Sequence, residues 1–447
     1  MADPGPTLSV RDFGAVGDGQ SLDTAAIQAA VDALPPGGTL RFPPGTYRIE
    51  ADRGVKLKDG VRLELGEAVL AGVNVDRARC RLIEIQGGKG VVISGGTLVG
   101  SRSGAPEWGV GILASDAEDL LIENVTLRDF YFDGILLTGN RGCQRVVVRG
   151  VVAEGNRRTG LAVPAAQDVT VEGSTFRDTH GQSPEAGANF EPNPGGEVRG
   201  VRVRDCTFSG NAGVGLYVHR GKGVAVADVS AERSTATDNG LGIVMVGVPG
   251  AAIVDNRVSG HRGKNRSGIV VGDTSSATVA GNQLDDNSRG ILSGGATGVE
   301  IRGNTVVGTG PEPGAGETSD GIVCLGSATA RQDACVVTGN TVRRCGGSGI
   351  VAQLVSRVRL EDNTVEDVGQ RGLLLRSASE SEVRGNSVAR TGVEKAGAYD
   401  AIELIVSSSD NQIAGNTIRL GSGPRSAIGI CPDCRGNTVT GNVVLPY

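Results

Sequence analysis

The segment spanning residues 187–193, GANFEPN, places polar side chains at alternate positions. Asn189, Glu191 and Asn193 are separated by Phe190 and Pro192. Because successive side chains of a β-strand point to opposite faces, we expect Asn189 and Glu191 to share one face, with Phe190 on the other. A carboxylate beside an amide can accept a proton or hydrogen-bond hydroxyl groups, so this face is a candidate site.

A second polar group follows in residues 215–223, GLYVHRGKG, where Tyr217 and His219 occupy alternate positions. The chain contains three histidines in 447 residues, so a histidine at this place is informative. If the two segments lie on neighbouring strands, about 4.8 Å apart, Asn189 lies beside Tyr217 and Glu191 beside His219. The four side chains then form one polar patch.

The cost of burying a charge is the basis for predicting the register of this strand. A shift by one residue would turn Asn189 and Glu191 into the interior at a large energetic cost. We therefore predict that both face outward, with Ala188 and Phe190 in the core. The alternative is an ordinary His–Glu pair on a solvated surface, which contributes little to stability.

Basic, acidic and aromatic residues are expected around the patch. Arg220 and Lys222 directly follow His219. The preceding connections hold seven further candidates for substrate binding: Trp108, Tyr131, Asp133, Arg157, Arg158, Asp178 and His180. Aromatic rings suit the CH faces of a sugar, and polar groups suit its hydroxyls. The predicted catalytic residues are Glu191, His219, Tyr217, Arg220 and Lys222, and Asn189 and Asn193 are assigned to substrate binding.

A repeat positions these segments. From residue 111 onward a phrase of glycine, an aliphatic residue, any residue and a second aliphatic residue recurs, as in GILAS at 111, GLAVP at 160 and GLLLR at 372. A period of about 20–50 residues indicates a solenoid in which each repeat packs on the next. Each repeat contains short alternating strands and no long helix. The predicted fold class is therefore all-β, a coil of short parallel strands.

A second phrase, of the type DNRV or GNTV, is interleaved with the first. Its asparagines are Asn256, Asn282, Asn304, Asn340, Asn363, Asn386, Asn416 and Asn437. Each is predicted to lie at a tight bend, because asparagine tolerates left-handed backbone and bonds local groups. Stacked asparagines can also hydrogen-bond one another from coil to coil, so their role is interpreted as structural.

The first residues differ from the repeat. We expect residues 1–50 to form a cap segment and residues 51–447 to form the solenoid. Asp23 is the expected N-cap of an amphipathic helix, and PPGG at 35–38 ends it. Its apolar stripe consists of Ile27, Ala30, Val31 and Leu34. Such a helix would cover the open end of the first coil.

The composition restricts the class of partner. The net charge is −6 and is not concentrated in a block, which argues against nucleic acid. No stretch of about 18 apolar residues could span a membrane, and no signal-peptide pattern is visible at the N-terminus. We expect an extracellular protein whose leader is absent from this numbering, with a cytoplasmic location as the alternative. A monomer and a homo-oligomer, a trimer included, both remain open.

Only two of the eight cysteines, Cys431 and Cys434, are close in sequence. A CxxC motif can be a disulfide, a redox pair or half of a metal site. With no second CxxC and no nearby histidine, zinc is disfavoured. The others are interpreted as small buried apolar residues: Cys80, Cys143, Cys206, Cys324, Cys335 and Cys345.

The remaining charged residues are interpreted as structural. Turn positions are assigned to the three aspartates that precede a repeat start: Asp133, Asp320 and Asp400. Glu403 and Arg376 are predicted to form a surface salt bridge, and His261 to lie in a surface loop.

Three N-terminal stretches, DFGAVGDG, DTAAIQAAVDA and GGTLRFPPGTYRI, resemble the first segment of the pectate-lyase-like superfamily. The resemblance implies a right-handed parallel β-helix with an N-terminal capping α-helix. The superfamily includes polygalacturonases and other glycoside hydrolases, polysaccharide lyases, alginate C5-epimerases and phage tailspikes, and some members only bind glycans. The resemblance therefore implies a carbohydrate partner without fixing the reaction.

Hydrolysis of a glycosidic bond is one reaction that the resemblance implies. It needs a second carboxyl group near Glu191, and the candidates are Asp178, Glu185 and Asp133. The NTD and GHG motifs typical of polygalacturonases are absent from this sequence.

The second reaction that the resemblance implies is removal of a proton next to a uronate carboxylate, as in lyases and C5-epimerases. It needs a base, an acid and a group that neutralises the carboxylate, roles that Tyr217, His219 and Arg220 or Lys222 could divide. The DPHE-like motif of alginate epimerases is missing. Some β-helix lyases hold the uronate through calcium, for which Asn189 and Glu191 would be suitable oxygen ligands.

We therefore expect a carbohydrate-active enzyme of the lyase or epimerase type, acting on the outer face of the β-helix. The alternatives are a glycoside hydrolase, a non-catalytic glycan-binding or tailspike-like protein, and a small-molecule isomerase. No cofactor or metal is expected to be required, and calcium is the alternative.

Overall fold

The computed structural model of the chain describes residues 5–104, 106–221, 224–310, 319–327 and 330–446. The fold is an all-β parallel solenoid of about 16 turns with 3% helix, which confirms the predicted fold class. The chain divides into two compact units, Met1–Val229 and Ser230–Tyr447. The expected division into a cap segment of residues 1–50 and a solenoid of residues 51–447 stays a prediction.

In the first unit, most strands belong to one sheet that forms two walls of each coil. These strands are Thr7–Ser9, Asp18–Leu22, Thr39–Arg41, Thr46–Glu50, Arg62–Val73, Val92–Val99, Glu118–Glu123, Thr126–Arg128, Cys143–Arg149, Val152–Glu154, Ala166–Glu172, Thr175–Arg177, Glu197–Arg204 and Thr207–Ser209. The strands of the other sheet are Val55–Leu57, Arg79–Gln86, Trp108–Ser115, Asp133–Thr138, Thr159–Ala162, Ala186–Phe190 and Val214–His219. A further strand, Ala225–Glu232, contains the boundary between the units.

A short 3-10 helix, Val10–Phe13, and an α-helix, Thr24–Ala33, precede the regular coils. The predicted apolar stripe of the α-helix is buried: Ile27, Ala30, Val31 and Leu34. Asp23 holds the N-cap position, but its side chain makes no bond to the helix. Instead its carboxylate accepts hydrogen bonds from the backbone N–H of Val16 at 2.6 Å and of Gly17 at 3.2 Å. It therefore ties the preceding turn to the start of the helix.

In the second unit most strands are shorter and span three or four residues. The two-wall sheet contains Thr235–Thr237, Ala252–Val254, Arg257–Ser259, Thr278–Ala280, Gln283–Asp285, Glu300–Arg302, Thr305–Val307, Val336–Thr338, Thr341–Arg343, Arg359–Glu361, Thr364–Glu366, Glu382–Arg384, Ser387–Ala389, Gln412–Ala414, Thr417–Arg419, Thr438–Thr440 and Val443–Leu445. The other sheet contains Leu241–Val246, Ile269–Gly272, Ile291–Gly294, Ile322–Leu325, Ile350–Gln353, Leu373–Arg376, Ile402–Ile405 and Ile428–Ile430. A small sheet pairs Gln332–Asp333 with Val355–Ser356.

A ladder of buried asparagines runs along one bend of the second unit, which confirms the predicted stacking. Asn304 donates from its backbone N–H and from Nδ2 to Oδ1 of Asn340, both at 2.9 Å, and Nδ2 also reaches the Val279 carbonyl. The same pattern joins Asn340 to Asn363. Each asparagine thus satisfies backbone groups that the bend leaves without a strand partner.

The left-handed backbone lies one residue earlier than predicted. Gly303 and Gly339, which precede Asn304 and Asn340, have φ of 61° and 62°. The asparagine itself stays outside the left-handed region, because its amide must point into the ladder while the glycine or aspartate before it makes the turn. Asn437 belongs to a second ladder, where Asn411 donates to its Oδ1.

The hydrogen bonds and burial of three polar residues correct their interpretations in the second unit. Asp400 is 1% exposed and pairs with the guanidinium of Arg425, and Asp320 accepts the backbone N–H of Ser348 at 2.7 Å. Neither is a simple turn residue, because each lies beside a buried strand start where the next coil supplies its hydrogen-bond donor. His261 is fully buried rather than in a surface loop.

His261 takes the place of an asparagine in a third ladder. Its backbone N–H donates to Oδ1 of Asn287 at 3.2 Å, and its Nε2 lies 3.2 Å from the carbonyl oxygen of Ala236. Burial lowers the pKa of His261, so the ring is neutral at physiological pH and acts as a structural hydrogen-bonding group.

The predicted surface salt bridge between Glu403 and Arg376 is wrong. The strand register places Arg376 opposite Ile405. Glu403 is 6% exposed, and its carboxylate binds the guanidinium groups of Arg371 and Arg425. The connections that supply these arginines cover the outer face of the strand, which the repeat pattern alone does not reveal.

Cys431 and Cys434 form a disulfide bond. The other six cysteines are free and buried, as predicted. None of the helices that the structure describes has the length and apolar character needed to cross a membrane.

The asparagine ladder leads to a stability prediction. Asn340→Ala removes the acceptor of the Asn304 N–H and the donor to the Ile301 carbonyl, leaving both groups buried and unpaired. We expect the free energy of unfolding to fall by about 2–4 kcal/mol, measured by denaturant titration. Asn140→Ala, at an exposed position, is the matched control and should change stability little. Equal stability of the two variants would contradict a structural role for the ladder.

Candidate functional site

Five neighbouring strands of the first unit form the wall that carries the candidate site. In sheet order they are Trp108–Ser115, Asp133–Thr138, Thr159–Ala162, Ala186–Phe190 and Val214–His219. Parallel pairing aligns one outward-facing column along them: Leu113, Leu136, Ala162, Asn189 and Tyr217. The column therefore changes from apolar to polar along the axis of the coil.

The predicted register of the Asn189 strand is confirmed. Ala188 and Phe190 are buried in the core, with exposed fractions of 1% and 0%. The backbone pairing places Asn189 opposite Tyr217. Glu191 follows the same strand, and its side chain remains 43% exposed.

The polar patch is assembled as the register requires. Nδ1 of His219 lies 3.6 Å from Oε1 of Glu191, just beyond hydrogen-bond distance. Nδ2 of Asn189 donates to Oε2 of Glu191 at 3.3 Å. The rings of Tyr217 and His219 stack with centroids 5.6 Å apart and planes 27° apart. Glu191 is therefore the centre of a contact network of four side chains from two coils.

Two buried atoms of this network have no hydrogen-bond partner among the residues that the structure describes. They are Oδ1 of Asn189 and Nδ1 of His219. An unpaired buried polar atom is costly, whereas the asparagines of the ladders are satisfied. Nδ1 of His219 faces Oε1 of Glu191, whereas Oδ1 of Asn189 is the atom positioned to bind a ligand or an ordered water.

Burial raises the pKa of Tyr217, and the negative charge of Glu191 raises it further. The side chain consequently remains a neutral phenol at neutral and mildly alkaline pH. In that form it can donate a hydrogen bond or a proton.

A cleft of about 560 Å³ opens beside the patch. Six of the predicted site residues line it: Trp108, Asp133, Arg158, Asn189, Glu191 and Asn193. Phe132 and Leu136 contribute apolar surface, and Gly221 lies at the far edge. Tyr217 and His219 do not line the cleft. They lie next to two residues that do, Asn189 and Glu191.

Asp133 is a buried strand residue, which corrects its interpretation as a turn residue. It begins the Asp133–Thr138 strand and is 0% exposed. Its carboxylate binds the guanidinium of Arg158, with Nε–Oδ1 at 2.9 Å, and accepts the hydroxyl of Thr159 at 2.6 Å. The guanidinium of Arg158 also lies over the Phe132 ring at 5.2 Å. Asp133 therefore positions Arg158 at the cleft.

Four predicted substrate-binding residues do not line the cleft. The guanidinium of Arg157 lies 4.0 Å from the ring centroid of Tyr131, so these two residues contact each other. Asp178 and His180 lie in an exposed turn, where Nδ1 of His180 is 2.9 Å from the Asp178 carbonyl oxygen. The repeat fixes the strands but not the paths of these connections, which explains the difference.

Arg220 is exposed beyond the end of its strand. Lys222 lies outside the described residues. The catalytic roles assigned to both stay predictions.

The sequence analysis missed the proline-rich wall of the cleft. Pro164, Pro192 and Pro194 line it at the ends of two neighbouring strands. The signal was present, because proline ends a strand and fixes the direction of the following chain.

The family models place the chain among known β-helix proteins. The model described as "Right handed beta helix region" matches residues 59–227, 193–331 and 320–445. The chain therefore belongs to the right-handed β-helix family, as the resemblance implied. A model described as "Rhamnogalacturonase A/epimerase, pectate lyase-like" matches residues 7–69.

Two curated relatives are similar in sequence. YclG of Bacillus subtilis (strain 168), described as uncharacterized, is 24% identical over 341 residues, which is 67% of this chain and 57% of YclG. Mannuronan C5-epimerase AlgE2 of Azotobacter vinelandii is 28% identical over 258 residues, 52% of this chain and 25% of AlgE2. The matches thus span less than two thirds of these relatives' own lengths.

Three solved structures share the fold. The A-module of Azotobacter vinelandii mannuronan C-5 epimerase AlgE6 has a TM-score of 0.52 and 21% identity, covering 98% of this chain and 99% of the module. PfbA, a surface adhesin of Streptococcus pneumoniae, has a TM-score of 0.55 and 17% identity, covering 84% of this chain and 91% of the PfbA chain. The tailspike protein of E. coli bacteriophage HK620, in complex with a pentasaccharide, has a TM-score of 0.56 and 14% identity, covering 97% of this chain and 80% of the tailspike chain. At these identities the likeness shows the fold alone.

The electrostatic interaction between Tyr217 and Glu191 predicts how Tyr217 titrates. The chain has five tyrosines, so the difference in tyrosinate absorbance between the wild type and Tyr217→Phe isolates the titration of Tyr217. We expect ionisation at higher pH than for an ordinary tyrosine. In Glu191→Gln the loss of the negative charge should lower this pKa, but not to the ordinary value, because burial is the larger cause.

Tyr399→Phe is the control: the titration of Tyr399, isolated in the same way, should be the same in the wild type and in the Glu191→Gln background. Circular dichroism should verify that the fold persists through the titration. A Tyr217 titration that is insensitive to Glu191→Gln would contradict the proximity of the two groups.

Proposed function

We propose that the chain binds a uronate-containing poly- or oligosaccharide in the cleft and removes the proton next to the uronate carboxylate. The product would be that of a lyase or of a C5-epimerase. One observation carries the proposal: Glu191 and Arg158 line the same cleft, His219 lies 3.6 Å from Glu191, and Tyr217 stacks on His219.

The roles follow from the chemistry of these groups. His219 is the proposed base, and Glu191, near its Nδ1, orients the ring and stabilises the imidazolium that forms. Removal of the C5 proton leaves negative charge on the uronate carboxylate, which a guanidinium neutralises. Arg158 in the cleft, or the exposed Arg220 that precedes the lining residue Gly221, is the candidate for this role.

Tyr217 is the proposed acid, since its raised pKa keeps it protonated. In an epimerase Tyr217 would donate its proton to C5 on the face opposite to the one from which His219 removes a proton, which inverts C5. In a lyase the C4–O bond breaks, a C4–C5 double bond forms, and the proton goes to the departing glycosidic oxygen. The structure is compatible with either fate.

Glycoside hydrolysis is less well supported. It needs a second carboxyl group with a free oxygen near Glu191. Both oxygens of Asp133 bind Arg158, and Glu185 accepts the N–H of Gly181 at 2.7 Å, in a turn outside the cleft. Asp178 is also outside the cleft lining. These arrangements favour proton abstraction over hydrolysis.

Calcium has few ligands here. Asn189 Oδ1 and Glu191 would supply oxygen atoms, whereas Ca²⁺ takes six to eight. Among the described residues, the grouping of Cys431, Asp433 and Cys434 is the one that brings metal-ligand side chains together, and its two thiols are bonded to each other. We therefore derive no step through a metal.

The similar proteins support an acidic polysaccharide as the partner, because mannuronan C5-epimerases are among them in sequence and in fold. The adhesin and the tailspike supply the second candidate, a protein that binds a glycan without turnover. An extracellular location, with or without oligomerisation, remains part of the proposal.

A panel of polysaccharides tests the reaction. Mannuronan, polygalacturonate and neutral polysaccharides are incubated with the protein, and three signals are recorded. A lyase produces ultraviolet absorbance from its new double bond, an epimerase changes the NMR signals of the uronates without shortening the chain, and a hydrolase releases reducing ends without ultraviolet absorbance. Binding without any of these signals would identify a glycan-binding protein.

The proposed roles predict the effects of two substitutions. His219→Ala should lower kcat by about 10²–10⁴-fold, the usual contribution of a general base. Glu191→Gln should also lower kcat strongly, and both variants should melt close to the wild type because the two side chains are partly exposed.

Glu300→Gln is the matched control, since Glu300 is an exposed carboxylate with an arginine partner, Arg302, at 3.7 Å. It should leave turnover unchanged. If His219→Ala and Glu191→Gln both retain full activity, the assignment of the patch is wrong.

A further inference from the structure

We propose that Trp108 forms a distal subsite that stacks one sugar unit of the ligand, away from the reacting uronate. This inference rests on the proposed function and adds a requirement for substrate length. Trp108 is the chain's one tryptophan, its exposed fraction is 42%, and it lines the same cleft as Glu191.

Trp108 and Glu191 lie at opposite ends of the cleft, which are called its Trp108 corner and its Glu191 corner. Trp108 begins the first of the five strands, whereas Glu191 follows the end of the fourth. Three inter-strand spacings of about 4.8 Å separate the two strands by about 14 Å along the coil axis. The offset along the strand direction increases the distance. A single sugar unit cannot contact both corners, but an oligosaccharide lying across the cleft can.

The floor between the corners changes in character. It begins beside Trp108 with Val110 and Phe132 and continues through Leu136 to Ala162, all members of one apolar cluster. Ala162 is the strand partner of Asn189. Toward Glu191 it becomes polar. The Trp108 corner therefore suits the CH face of a sugar ring, whereas the Glu191 corner suits a carboxylate and hydroxyl groups.

The charged group that contacts Trp108 is Arg79, whose guanidinium lies 5.6 Å from the centroid of the indole ring. Arg158 pairs with Asp133 and also interacts electrostatically with Glu191, so we assign it to the polar part of the cleft. Arg79 supports the indole by a cation–π contact, which holds the ring in place while leaving part of it exposed. A rigid aromatic surface of this kind binds a sugar with little loss of side-chain entropy.

Binding energy from such a remote subsite can be used at the reacting centre. Truncated substrates that lack a remote contact lose kcat as well as affinity. We therefore expect long oligosaccharides to be used better than short ones, and we expect Trp108 to be responsible for the difference.

Fluorescence tests the inference without turnover, because all indole emission comes from Trp108. The Glu191→Gln variant is titrated with oligomannuronates of increasing length, from the disaccharide upward, while calorimetry measures binding. We expect an emission change only above a threshold length. An equal change with the disaccharide, or no change with saccharides that calorimetry shows to be bound, would overturn the inference.

Kinetics give the second test. Trp108→Ala should lower kcat/KM for the longest oligomannuronate by about tenfold and leave the shortest substrate unchanged, and Trp108→Phe should restore part of the loss. Val439→Ala, at another exposed apolar position, is the control and should have no effect. An equal loss at every length would assign Trp108 a structural role.

The two proposals fail in distinguishable ways. Emission that follows oligosaccharide length in a protein without turnover would retain the subsite and reject the proposed reaction. Turnover that is independent of length and of Trp108 would retain the reaction and reject the subsite.

Discussion

Hydrogen bonding between parallel strands of successive coils is the constraint on which the rest of the structure depends. It sets each residue beside its counterpart one coil later, so a column of side chains is determined once the register is known. In the first unit this pairing brings Asn189 to Tyr217 and thereby Glu191 to His219. Residues that are distant in sequence form one patch without any dedicated loop.

Because successive coils pack directly on one another, a buried polar atom needs a hydrogen-bond partner on its own or a neighbouring coil. In the second unit the ladder asparagines, His261 and Asp400 all bury polar atoms, and each has partners on a neighbouring coil. Oδ1 of Asn189 and Nδ1 of His219 differ, since they have none among the described residues. An unpaired buried atom alone does not identify a ligand site, because Asn156 and Thr179 also have one. Asn189 is distinguished by the cleft that it lines together with Glu191.

The repeat was sufficient to predict the fold class and the outward register of Asn189 and Glu191, because these depend on alternation and period. The N-terminal helix was predicted separately, from its apolar stripe and its end signals. The repeat was insufficient for Asp133 and Glu403. Their burial depends on arginines from connecting segments, and the paths of those segments follow no period. The roles of the site residues stay predictions for a related reason, since one scaffold accommodates several chemistries.

The ladder also limits how such a chain can change in length. Removal of the segment from Asn304 to the residue before Asn340 would let Asn282 meet Asn340 in the same geometry, because each rung offers the same donors and acceptor. Removal of a few residues would instead misalign every rung beyond the cut. Gain and loss of sequence in this protein should therefore occur in whole turns, while partial insertions are confined to the connections between strands.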